Sequence, residues 1–316
     1  MFIMCKSDEL LSAIKLALLT AVALFATTLS AIPFAGAVVF QRAPGLPPAL
    51  SIPITQTSTN GEVAQLERQP SGAWGSAISA ASADLVNGKL GVRIAAHAPA
   101  LSADESVLTL AAAAIADGFE TTASNGSPFD WQSGNGHFSF DFAGTYTRDA
   151  TDASVNSIAA LRLTLSRPGT AGSNTGLTRA DVFAEYVWFV GEPVQAFTFC
   201  YQAMDSQCFA PEPIATFSEY PTTFGVDVNV GSDFDWTLQL LLARSTSNGT
   251  ANYDLDFSHT LSTRYEGPDG TTTRARSGLF ANILGPTTPV PAGTHLPVLV
   301  AALSALLWHQ RRRSVS

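Results

Sequence analysis

Of the 316 residues, 46% are hydrophobic and 14% charged, with 26 acidic against 17 basic side chains and a net charge of −9. That balance argues against nucleic acid and anionic membrane surfaces as partners, because both attract basic proteins. Lys89 is the one lysine between the two terminal segments, and Ala, Ser, Thr, Gly and Asn stand where a cytosolic enzyme carries charge, which fits an exported β protein.

Residues 1–37 read as a signal peptide. Lys6 and Lys15 lead into an apolar run, Leu16 to Ala31, and the small-x-small pattern Ala35-Gly36-Ala37 follows. The expected cut is after Ala37, with Ala31 as the alternative. Residues 38–84 show no sustained periodicity. Arg42-Ala43-Pro44-Gly45-Leu46-Pro47-Pro48 and the Thr/Ser/Asn run at 55–60 predict an extended or disordered leader, with order beginning near Leu85.

The body, 85–285, alternates with period two, so its apolar residues fall on one side of extended strands. Leu90, Val92 and Ile94 form the first such set, and Leu108 to Ala116 is an apolar run assigned to a strand. Phe138, Phe140 and Phe142 follow, then Leu161, Leu163 and Leu165. Val182 to Val190 and Gln195 to Tyr201 are two more strands, broken at Gly191-Glu192-Pro193. Phe224 to Val230 and Phe234 to Leu240 alternate on either side of Gly231-Ser232-Asp233 and predict a hairpin; Tyr253, Leu255 and Phe257 complete the series. About eight short strands without a long 3.6-residue period predict an all-β fold, a β-sandwich of the jelly-roll type.

Chemistry-bearing groups are few. Cys200 and Cys208 are expected to close a short disulfide loop in an oxidising compartment. Asp233 and Asp235 flank Phe234, and Asp254 and Asp256 flank Leu255, so each pair projects to one face of a strand, and the four are weak candidates for calcium ligands. His97, His137 and His259 sit in no metal or nucleophile motif, and neither GxSxG nor SxxK occurs. The reading is therefore noncatalytic, with no cofactor. A carbohydrate-binding module is the alternative, for which Trp74, Trp131, Tyr146 and Tyr253 would supply stacking platforms if exposed.

Residues 286–316 depart from the body. A Pro/Gly spacer, with Pro289, Val290, Pro291 and Ala292, precedes an apolar stretch and the cluster Arg311, Arg312 and Arg313. As a helix, 292–310 would reach about 28 Å, close to the roughly 30 Å of a hydrocarbon core, and the arginines would hold its far end in the cytoplasm.

This order of spacer, apolar helix and arginines resembles the sorting signal of PEP-CTERM proteins, the substrates of exosortases. Pro289-Val290-Pro291-Ala292 stands where the family's usual motif reads Val-Pro-Glu-Pro-Ala, as in its glutamate-free variants. Residues 223–231 and 251–261 are similar to the strands that precede the signal in that family, and the likeness spans roughly 220 to 313. The resemblance implies an exosortase-type processing enzyme as partner and a transient stay in the inner membrane. Release to the cell surface or an extracellular polysaccharide or biofilm layer would follow.

Overall fold

Period-two alternation in a chain rich in Val, Leu, Phe and Thr yields strands, and the computed structural model is built of them. It describes residues 33–47, 51–123, 126, 135–149, 151–152, 156–166, 182–190, 197–203, 212–215, 222–229 and 232–284, with 182–215 described at backbone level only. The described residues are all-β, and no helix among them is long and apolar enough to cross a membrane.

In chain order the strands are β1 (Phe34–Arg42), β2 (Ile54–Ser58), β3 (Ala64–Arg68), β4 (Ser71–Gly72), β5 (Gly75–Asp84) and β6 (Lys89–Ala123). β7 (Asn135–Phe142), β8 (Thr145–Arg148), β9 (Asn156–Ser166), β10 (Val182–Val190) and β11 (Phe197–Ala203) follow. The last are β12 (Glu212–Ala215), β13 (Thr222–Asn229), β14 (Asp233–Glu266), β15 (Thr271–Ala275) and β16 (Ile283–Leu284). They make one sheet, in the order β12-β11-β10-β9-β14-β6-β1-β2, with the remaining strands pairing off this path. Pairing between strands is antiparallel except for β14 with β16.

The spine is the pair β6 and β14, 35 and 34 residues long. Segments that look separate in the sequence, such as Phe234 to Leu240 and Tyr253 to Phe257, are parts of one strand. Fully extended, the 31 steps from Phe234 to Tyr265 would span about 100 Å at 3.3 Å each. Their rings lie 5.9 Å apart, so β14 turns back on itself and carries β6 with it. The turn falls where the register slips around Gly249, with Asn248 at φ 63° and Gly249 at φ 98°, left-handed values that asparagine and glycine tolerate.

Folding back brings the inward sides together. Phe119, at the end of β6, contacts Phe138, Phe234, Trp236, Tyr265 and Phe280 at centroid distances of 4.6 to 6.1 Å. Leu161, Leu163, Leu165, Leu238 and Leu240 extend this core. The run Leu108 to Ala116 is indeed a strand, and it lacks alternation because both sides are buried. Ala111, Ala113 and Ile115 join the main core; Leu110, Ala112, Ala114 and Ala116 join a second cluster with Phe34 and Val38.

Two expectations are corrected. Residues 38–84 are not a leader: β1 pairs with β6 from Phe34↔Ala116 to Arg42↔Leu108, and β5 pairs with β6 from Ser76↔His97 to Asp84↔Lys89. The described strands start at Phe34 rather than near Leu85. β5 alternates buried Ala77, Ser79, Ala81 and Ala83 with half-buried neighbours, a period carried by residues too small to register as hydrophobic contrast. The expected hairpin is also absent. β13 pairs with β7, Phe224 opposite Phe140 and Val226 opposite Phe138, while the start of β14 pairs with β6 and β9. Alternation fixes which residues share a side, not which strand lies alongside.

Candidate functional site

The same-side aspartates behave as their spacing predicts, but arginines occupy them. Arg276, which follows β15, bonds Asp233 through Nη2 and Asp235 through Nη1, the latter at 2.6 Å with the Asp235 carboxylate fully buried. Gly118 lies opposite Asp235 on β6, and a Cβ there would collide with the guanidinium, so the glycine makes the room. On the far arm of β14, Arg93 reaches Asp254 at 2.7 Å and Asp256 at 3.5 Å. The Asp254 bond holds the Arg93 guanidinium charged more firmly than usual.

Each carboxylate pair of the calcium reading, Asp233 with Asp235 and Asp254 with Asp256, therefore meets a guanidinium supplied by the chain. A guanidinium fork satisfies two carboxylates where a metal would need further oxygen ligands. Among the described residues no three His, Cys, Asp or Glu side chains gather as a metal site.

Beside Arg276 stands Asp117, a buried carboxylate on β6. Its Oδ1 accepts from Gly118 N at 2.7 Å and Ser277 N at 3.3 Å, and its Oδ2 accepts from Ser277 Oγ. Burial nevertheless pushes its carboxyl above the usual aspartate range.

Near the turn of β14 lies a fully buried ion pair. Arg244 Nη2 donates to Asp152 Oδ2 at 2.9 Å, and its guanidinium sits 4.8 Å over the Tyr253 ring. Tyr253 shares a hydrogen bond with Thr109 Oγ1 at 2.8 Å. Tyr253 is therefore inside, 4% exposed, and is no stacking platform. Tyr146 and Trp74 pack half-buried against the core. Trp131 lies outside the described residues.

The outward side of the β5, β6 and β14 arms carries polar side chains, among them His97, Asn252 and Arg93. Two shallow grooves of about 480 and 570 Å³ adjoin there and share Ile78. The floor is small, with Ala80, Ala95 and Gly91. One wall is β3 with Gln65 and Glu67; the other is β8 with Thr147 and Arg148. Across the first groove runs a hydrogen-bonded row: His97 Nδ1 lies 3.3 Å from Asn252 Oδ1, and Asn252 Nδ2 donates to Asp149 Oδ2 at 3.1 Å. Bonds from Thr151 hold the exposed Asp149 carboxyl below its usual range. The row offers donors and acceptors to a hydroxyl-rich ligand.

No protein-family model, curated protein or solved structure matches the chain.

His137 bonds Asp227 Oδ1 at 2.7 Å across β7 and β13, an exposed pair. Cys200 sits opposite Val187 in the β10–β11 register, but Cys208 lies outside the described residues, as do Pro289, Val290, Pro291, Ala292, Arg311, Arg312 and Arg313. Sequence reasoning missed Arg93, Arg244, Arg276, Asp117 and Asp152. Their signal was present: in a chain of so little positive charge, an arginine within a strand pattern needs a carboxylate across the sheet.

Proposed function

We propose that this chain is an exported, noncatalytic surface or extracellular matrix protein, sorted by its C-terminal signal. The observation that supports the reading is the order of segments in the sequence, with the described strands lying between an apolar run and a Pro/Gly spacer that leads to a second apolar run and arginines. β1 opens at Phe34, three residues after the apolar run ends at Ala31, and β16 closes at Leu284, just before the Pro/Gly spacer. On this reading the apolar termini serve transit, an exosortase-type enzyme processes the tail, and the inner membrane is a temporary stop. The body between them is a β-sandwich of the jelly-roll type, a reading supported by the return of β14 and the ring contacts around Phe119.

The carbohydrate-binding alternative is favoured by one observation, the polar double groove with its His97–Asn252–Asp149 row. Burial of Tyr253 weighs against recognition by stacking, so binding there would rest on hydrogen bonds.

Deleting 286–316 tests the sorting reading. The truncated chain is expected in the periplasm, while the full chain partitions between membrane and surface. Identical fractionation of the two would overturn it. Retention of the full chain on extracellular polysaccharide, lost in Asn252→Ala, would favour the alternative.

A further inference from the structure

We propose that the two polar grooves form one cleft for an extended, uncharged polysaccharide chain lying along β6 from His97 to Lys89. This rests on the carbohydrate-binding alternative and adds to it the course and the charge of the ligand. Ile78 lines both grooves. At their junction the Arg93 guanidinium, in the second groove, meets the Asp254 carboxylate, in the first, through two hydrogen bonds of 3.1 and 2.7 Å. Lys89, Gly91, Arg93, Ala95 and His97 alternate along β6 and so face one way. Their eight steps cover about 26 Å at 3.3 Å each, the length of a chain segment rather than of a single sugar.

Side-chain size and hydrogen bonding select a polyol. The middle of the cleft is floored by Ala80, Gly91 and Ala95, with Ile78 as an apolar contact, so a sugar ring can lie close to the sheet. Polar groups with fixed roles stand around it. Asn252 Nδ2 donates to Asp149, which leaves Asn252 Oδ1 to accept from His97 Nδ1, and the neutral imidazole then presents Nε2 as an acceptor for a hydroxyl. Arg93 and Asp254, with side chains 34% and 36% exposed, set donors beside acceptors. A peptide docks its backbone on a sheet edge, whereas this cleft is made by side chains on a sheet face. Charge disfavours acidic polymers. Glu67, Asp84, Asp149 and Asp254 line the cleft against Lys89, Arg93 and Arg148. Arg93 is held between Asp254 and Asp256, and Arg148 Nε lies 3.5 Å from the buried Asp152 carboxylate. A polymer of uronate or phosphate groups would meet carboxylates in excess, on a chain of net charge −9.

Lys89 supplies the test. It is the one lysine between the terminal segments, so its acylation by an N-hydroxysuccinimide ester, read by peptide mass, reports occupancy of one end of the cleft. The full chain would be run in affinity electrophoresis through the neutral and the acidic fractions of the producing cell's extracellular polysaccharide, separated on an anion exchanger. The expected result is retardation several-fold stronger in the neutral fraction, with Lys89 acylated several-fold more slowly there. His97→Ala, at an exposed position, should weaken both effects several-fold, while Asp227→Ala, at the exposed His137 pair, should leave both unchanged. Retardation with Lys89 acylated at its free rate would overturn the cleft and keep the carbohydrate reading. Retardation by neither fraction would overturn both, and retardation chiefly by the acidic fraction would overturn the uncharged ligand.

Discussion

Two buried tyrosines differ in one atom's surroundings, and that difference sets their worth. Tyr253 Oη shares a hydrogen bond with Thr109, whereas Tyr265 Oη is buried with no hydrogen-bond partner among the described residues, and Gly136 leaves it only just enough room. Burial pushes both hydroxyls well above the usual tyrosine range. Tyr253→Phe orphans Thr109 and is expected to cost about 1–3 kcal/mol, while Tyr265→Phe is expected to be neutral or stabilising by about 1 kcal/mol. Urea unfolding of the two variants checks both values. Asp117 gives a prediction in pH. Its carboxyl is raised in the fold, so its contribution is fully present below the ordinary aspartate range and is lost as pH rises through the folded value. Asp117→Asn should therefore gain stability relative to the unaltered chain as pH rises above the ordinary aspartate range. A relative stability that is flat or falling as pH rises above that range would show that burial does not govern this carboxyl.

At the scale of elements, alternation carries information about sides and little about neighbours. The phenylalanines of β7 and the leucines of β9 were legible because large apolar residues recur at every second position. β5 was not, since Ala and Ser differ too little in hydropathy, and β1 was hidden because both of its sides are buried. The aspartate pairs of β14 were legible as pairs. Their arginines were not, because Arg276 and Arg93 are distant in sequence and reach β14 only through folding. The continuity of β14 was equally hidden, since the register slips at Gly249 and after Phe257 read as breaks between strands. Gly91 sits at the second slip, where the Ser258 carbonyl approaches so closely that a Cβ would overlap it. Gly91→Ala should force the two long strands apart at a cost of about 1–3 kcal/mol, measured as a lowered unfolding midpoint with the slope unchanged. An unchanged midpoint would mean that the slip absorbs a methyl group freely.

For the whole molecule, the position of β1 bears on where the proposed signal peptide could be cut. A cut after Ala37 would remove Phe34, Ala35, Gly36 and Ala37, together with their pairing to residues 113–116 of β6. A cut after Ala31 leaves the strand intact. On the proposed reading the mature chain is therefore expected to start at Ile32. The other expected cut is near Pro291, beyond β16, where no described strand would be lost. The polar grooves would then be displayed by a body free of both apolar termini. Intact-mass measurement of the protein recovered from the producing cell's envelope and medium tests this most directly. The account predicts a species beginning at Ile32 and ending near Pro291. A single species that keeps residues 292–310 and stays in the membrane fraction would contradict it.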